Sequence, residues 1–449
     1  MWSVADAGLV SGEAHHVPDD ELTTPTQIHL AVDCHLALAD RGLGLAAGVH
    51  EPGELQELAQ ADDVSARGNV VNRSRSRHIR MLAVARSSRV AEPSPGYSDG
   101  MGLNPGLARV PQALTRTART LAATRHPDGY HGDYQGDAGF FEGWYVKLVS
   151  ADRTARLAVI PGIFKGEGDR PDEAFVQVLD GTTGESWYEV FPADEFSADP
   201  RRFDVRIGAN RFSKRGVEVD LPASGLRGRV DFTTTLDPWP VTLRSPGIMG
   251  PYGWVPVMEC YHGLVSFGHG LGGTLTLGDR DLTFDGGLGY LEKDWGRAFP
   301  KAYVWMQTHH FSTPGISVSA SIADIPWGRS SFRGFIVGVR RPHPDGTPVL
   351  HRFATYTGAS TDMLEIDDAE VRWHLRAKSG AVLRLRAERG RGGLLHAPIR
   401  TQMHRRVEET LDARVHVELI APDGRVVIDD TGEAAGLEVH GELERLRGD

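Results

Sequence analysis

From residue 126 onward, apolar side chains recur at every second position in short runs, and Gly, Asp, Asn, Ser or Pro breaks each run. Side chains alternate between faces only in extended chain, so this period predicts strands with one or both faces covered. Residues 175–179 and 187–191 flank Asp180-Gly181-Thr182-Thr183-Gly184, and 274–277 and 282–284 flank Gly278-Asp279-Arg280-Asp281. Residues 371–377 and 382–387 flank Ser379-Gly380, and 415–420 and 426–428 flank Pro422-Asp423-Gly424. Each arrangement predicts a β-hairpin. Residues 316–322 and 335–339 read as further strands; long helical patterns are absent, and at most one short helix is expected, over 407–411. The fold class is therefore all-β, built from antiparallel barrels or sandwiches. Roughly 320 residues exceed one eight-stranded barrel, so two β units are predicted, over 126–255 and 256–449.

Residues 1–125 have a different texture. They hold two of the 35 aromatic residues, Trp2 and Tyr97, and neither Phe nor Lys. Rings carry much of the buried area of a core, so a packed domain is not expected there. Two readings stand: a largely disordered leader, or a start codon placed too early, with Met101 as the true start. Val110, Leu114, Ala118 and Leu121 have helical spacing and predict one short helix over 110–121. The formal net charge of −11 argues against a nucleic-acid partner. No apolar run reaches membrane-spanning length, and Asp6, Glu13, Asp19 and Asp20 do not resemble a secretory signal. Two cysteines, Cys34 and Cys260, make no disulfide framework and point to a reducing, cytoplasmic setting.

Several motifs match by letter only. Gly268-His269-Gly270-Leu271-Gly272-Gly273 fits a dinucleotide fingerprint, but a strand follows where a helix is required, so a glycine-rich bend or bulge is expected. Asp128, Asp133 and Asp137 lack the alternate spacing of a calcium loop. His309 and His310 would point to opposite faces of a strand, one buried and one exposed, which is no metal site.

Two segments combine rings with carboxyls. The first contains Tyr130 and His131, then Phe140-Phe141-Glu142-Gly143-Trp144-Tyr145. On a strand Phe140, Glu142 and Trp144 share a face, and a carboxyl between two rings is pushed towards its neutral form. The second is Tyr290-Leu291-Glu292-Lys293-Asp294-Trp295-Gly296, followed by Phe299-Pro300 and by Tyr303-Val304-Trp305-Met306-Gln307.

At these residues, and again around Met403 to Glu409, the sequence resembles the tocopherol cyclase family over 126–449. The resemblance implies two lipocalin-like units, distantly related to carotenoid hydratases. It also implies acid-catalysed closure of a chromanol ring on a prenylated hydroquinone. The alkene must be protonated and its cation captured by the phenol oxygen before water arrives, which needs a neutral carboxylic acid in a dry cavity. Neither a redox cofactor nor a metal is expected. The roles implied are Glu142 as donor, with Glu292 or Asp294 taking the phenolic proton or orienting the head group. Trp144, Trp295 and Trp305 would line the cavity and face the cation. His131, Tyr145 and Gln307 would bind the head group. Structural alternatives stand beside each role: Glu142 as a buried acid bonded to backbone or arginine, Glu292-Lys293-Asp294 as a surface charge cluster, the tryptophans and Tyr303 as packing, Cys260 as an inert thiol. A terpenoid hydratase and a non-catalytic carrier of hydrophobic ligands are the alternative functions. The expected partner is a hydrophobic small molecule, with peripheral membrane contact following from its insolubility.

Overall fold

The computed structural model describes residues 126–132, 139–255, 258–399 and 402–447. The predicted leader over 1–125, its helix at 110–121, and Asp133 and Asp137 lie outside them. All described residues fall within one unit, Asp99–Asp449. Among them are 22 strands and four short 3-10 turns, and no helix long and apolar enough to cross a membrane.

The first sheet holds β1 (Phe140–Val149), β2 (Arg156–Lys165), β3 (Glu173–Asp180), β4 (Ser186–Pro192), β5 (Phe196–Ala198), β6 (Asp204–Ile207), β7 (Asn210–Ser213), β8 (Gly216–Leu221), β9 (Leu226–Phe232), β10 (Cys260–Leu277), β11 (Arg280–Thr283) and β12 (Leu288–Gly296). The second holds β13 (Ala302–Thr308), β14 (Ser317–Trp327), β15 (Ser330–Pro342), β16 (Pro348–Ala354), β17 (Ser360–Ile366), β18 (Glu370–Arg376), β19 (Val382–Glu388), β20 (Gly393–Ile399), β21 (Gln402–Ile420) and β22 (Val426–Gly441). The orders are β4-β3-β2-β1-β12-β10-β9-β8-β7-β6-β5, with β11 on β10, and β16-β15-β14-β13-β22-β21-β19-β18-β17, with β20 on β21. Every strand pair is antiparallel, and among the described residues neither sheet closes by pairing its end strands. The chain passes between sheets from Gly296 to Ala302, later than the 255/256 boundary expected from the sequence.

All four predicted hairpins form. Their turns rely on residues that tolerate left-handed backbone, such as Gly278 and Gly380 at φ of 59° and 92°. The GxGxxG letters lie inside β10, where the register against β12 slips between Ser266 and His269, as expected for a bulge. His309 is buried and His310 half-buried. The helix expected at 407–411 is corrected: β21 runs straight through it. Val407, Glu409, Leu411 and Ala413 are buried at period two, whereas the helical reading weighed only a five-residue window.

Three cores result. One lies inside the first sheet around Trp144, Val146, Leu148 and Phe203, and another inside the second around Val337, Trp373 and Val415. The third joins the sheets through Tyr145, Leu264 and Tyr290 from the first and Tyr303, Trp305, Val407 and Leu411 from the second. Strand β1 is thus covered on both faces, which explains its almost unbroken burial.

Candidate active site

The functional side chains come from strands at the centre of each sheet. On the face of the first sheet that meets the second, Tyr145 of β1 stands opposite Glu292 of β12, and Gly143 opposite Asp294. His262 of β10 pairs with Asp294 from the other side. In the second sheet Trp305 of β13 stands opposite Glu438 of β22, which in turn stands opposite Glu409 of β21. These residues wall a cavity of about 190 Å³ whose remaining lining is mostly apolar, with groups such as Ile160, Phe175, Met258 and Leu395. Gly436 of β22 makes room for this wall, since a Cβ there would meet the Trp305 ring at 2.7 Å.

Four carboxyls therefore converge in apolar surroundings, and two of them, Glu409 and Glu438, are directly opposite cross-strand neighbours. Like charges so placed repel, and burial removes the water that would screen them. Burial and then the charge of Glu438 hold Glu409 well above the usual carboxylate range, which favours its neutral form. Burial pushes Glu438 up to about 8, while the Tyr303 hydroxyl, which donates to its Oε2 at 2.6 Å, works against that. Burial raises Glu292 to about 7, although His262 pulls it down. Its Oε2 accepts from the Tyr290 hydroxyl and from Trp305 Nε1 at 3.2 Å. Burial alone would depress His262, but the Asp294 and Glu292 carboxylates outweigh it and hold the imidazole at about 9, protonated at neutral pH. His262 Nδ1 lies 2.9 Å from Asp294 Oδ1. The donor atoms of His262, Glu292 and Asp294 lie within 4.8 Å of one another, a spacing that could hold a cation.

Glu409 is fully buried. The Tyr145 hydroxyl donates to its Oε1, while Oε2 is buried with no hydrogen-bond partner among the described residues. Oε2 is therefore the oxygen left free to carry a proton when the group is neutral. Lys147, also fully buried, hydrogen-bonds Gln307 Oε1 at 2.9 Å, and burial lowers it to about 7.

Of the residues expected from sequence, the cavity brings together Glu292, Asp294, Tyr145 and Trp305. Glu142, the expected proton donor, does not line this cavity. It faces the interior of the first sheet, where its Oε1 lies 2.6 Å from Lys293 Nζ and both oxygens accept from the His131 backbone N–H, at 3.0 and 2.9 Å. Strand alternation sends Tyr145 to the cavity and hence Glu142 and Trp144 away from it. His131 lies there too, with Nδ1 3.0 Å from Lys293 Nζ. Trp144 and Trp295 also stand off the cavity. The cation their rings face is the Lys293 ammonium, 5.2 and 4.6 Å from the ring centres. Glu292 and Lys293 are buried, so they are not a surface charge cluster. Gln307 binds Lys147 and His309 instead of lining the cavity. Tyr303 and Cys260 do line it, and burial keeps the Cys260 thiol protonated.

Fold and site together define an antiparallel two-sheet β protein with an acid cluster in an apolar cavity between the sheets. Residues 248–441 match the tocopherol cyclase-like family. That stretch spans β10 to β22, and with them His262, Glu292, Asp294, Glu409 and Glu438, but not Tyr145. Solved structures similar to the chain include a Nitrosomonas europaea protein assigned as AttH (TM-score 0.41, 11% identity, 70% of this chain and 94% of that one). CghA with Sch210972 gives a TM-score of 0.44 at 12% identity, over 68% and 89%. Kievitone hydratase from Nectria haematococca gives 0.35 at 12%, over 68% and 90%. No curated protein matches the chain in sequence.

Proposed function

We propose that the protein is an acid-catalysed cyclase that closes a chromanol ring on a prenylated hydroquinone, with Glu409 as the proton donor. The observation that carries this reading is the unpartnered, buried Oε2 of a carboxyl that burial pushes towards its neutral form in the wall of an apolar cavity. Glu409 Oε2–H gives its proton to the less substituted alkene carbon, leaving a tertiary cation. The phenol oxygen attacks that cation, and its proton passes to Glu292, whose value near 7 suits a base at neutral pH. Bonds and electrons balance without an oxidant, since the product is an isomer of the substrate. Tyr145 holds the donor by its Oε1, and the faces of Trp305 and Tyr303 stabilise the cation. A cavity of about 190 Å³ fits the head group and the first prenyl unit, so a longer tail would extend through the mouth.

The experiment incubates the protein with a short-chain prenylated hydroquinone in deuterated water. The expected product is a chromanol carrying one deuterium next to the new quaternary carbon, and E409Q lowers its formation at least about a hundredfold. A tertiary alcohol in place of the chromanol assigns capture by water. Binding of the hydroquinone with no conversion makes the protein a carrier. Wild-type turnover by E409Q overturns the donor assignment.

A further inference from the structure

Next to the cavity the surface turns apolar. Leu243 is 76% exposed, Trp327 46% and Val241 41%. Trp327 ends the β14–β15 hairpin beside Gly328 and Arg329. Its ring meets Phe332 edge-on at 5.9 Å, and Phe332 stacks on Tyr252 at 5.9 Å. Both Phe332 and Tyr252 are half-buried lining residues of the cavity. Two residues beyond Tyr252, the indole N–H of Trp254 donates to the Leu243 carbonyl at 3.0 Å and ties the Leu243 loop to the segment that carries Tyr252. On this exposed rim, Trp327 is therefore continuous with the cavity interior through Phe332 and Tyr252, and Leu243 is tied to the Tyr252 segment. Charge adds a second, separate observation. In a chain with 60 acidic residues, neither 239–254 nor 325–336 contains one, and both tips carry an exposed arginine, Arg244 and Arg329.

We infer that this rim docks the protein on a lipid surface bearing anionic headgroups, so that a water-insoluble ligand enters the cavity from the bilayer. Exposed Trp and Leu enter the boundary between headgroups and acyl chains, while flanking arginines pair with anionic lipid. The inference does not depend on which reaction the cavity performs.

The test is co-sedimentation of the full chain with vesicles of phosphatidylcholine, with and without phosphatidylglycerol. Wild type is expected to pellet with the anionic vesicles and far less with the neutral ones. L243S/W327S should reduce the bound fraction at least about tenfold with an unchanged melting temperature. R244S/R329S should reduce binding to anionic vesicles alone. Wild type left in the supernatant of anionic vesicles overturns the inference, and so does wild-type binding by L243S/W327S. Self-association of the vesicle-free protein, lost in L243S/W327S, would assign the rim to a second copy and overturns it as well. None of these readouts uses turnover, so their failure leaves the cyclase reading to its own experiment.

Discussion

Lys293→Met should unfold the protein well before it disturbs the cavity. The Lys293 ammonium lies 2.6 Å from Glu142 Oε1, and both side chains are fully buried. It also donates to the Gly129 carbonyl and sits over two indole rings. Methionine keeps the apolar stem and packs well against rings, so little is lost in volume. What is lost is the partner of a buried carboxylate, and breaking such a pair from one side costs about 3–5 kcal/mol. At about 2 °C per kcal/mol for a folded body of this size, the melting temperature should fall by about 6–10 °C. Glu142→Leu on top of K293M removes the stranded charge, so E142L/K293M should regain most of the loss. Calorimetric melts of the two single variants and the double close the cycle. A K293M melt within about 1 °C of wild type would refute the reasoning. So would a double variant less stable than K293M. The same series separates structure from chemistry, because E142Q should keep turnover under conditions where E409Q loses it. If E142Q folds normally and is inactive, the donor is Glu142 after all.

Three further outcomes are expected. Tyr145→Phe strands Glu409 Oε1 in a buried site, costing about 1–3 kcal/mol in a thermal melt. It should also lower turnover at least about tenfold, and an unchanged rate would remove Tyr145 from the acid's support. Burial holds Glu438 at about 8 against an ordinary 4.5, so between those values the native state keeps a proton that the unfolded chain has lost. Wild-type stability therefore falls as pH rises through that window. E438Q lacks this loss, so its stability relative to wild type should rise by up to roughly a few kcal/mol from pH 4.5 to 8 and level off above. A difference independent of pH, read by melts across the range, would exclude a raised Glu438.

The hairpins were legible because a turn glycine between two period-two runs leaves the chain few alternatives. The face shared by Glu142 and Trp144 was legible too, since alternation needs no tertiary information. Which face meets the cavity was not. Strand β1 is buried on both sides, so its letters carry no sign of which side is packed and which is hollow. Glu409 was hidden by the short helical reading of 407–411. The available signal was its place in the series Val407, Glu409, Leu411, Ala413, a carboxyl where a buried apolar residue belongs. Glu438 has no such local marker. Its meaning comes from standing opposite Glu409 and Trp305 on neighbouring strands, a relation that only long-range pairing creates.

Tyr145 and Glu409 are 264 residues apart, on different sheets. Neither sheet alone can keep a carboxyl protonated at neutral pH, because each would leave its share of the cluster facing water. The acid comes into being when the sheets close on each other, much as a two-key lock opens only with both keys turned. On the proposed cyclase reading, a nascent or half-opened chain is chemically silent, with no acid to protonate an alkene before the walls that keep water from the resulting cation are in place.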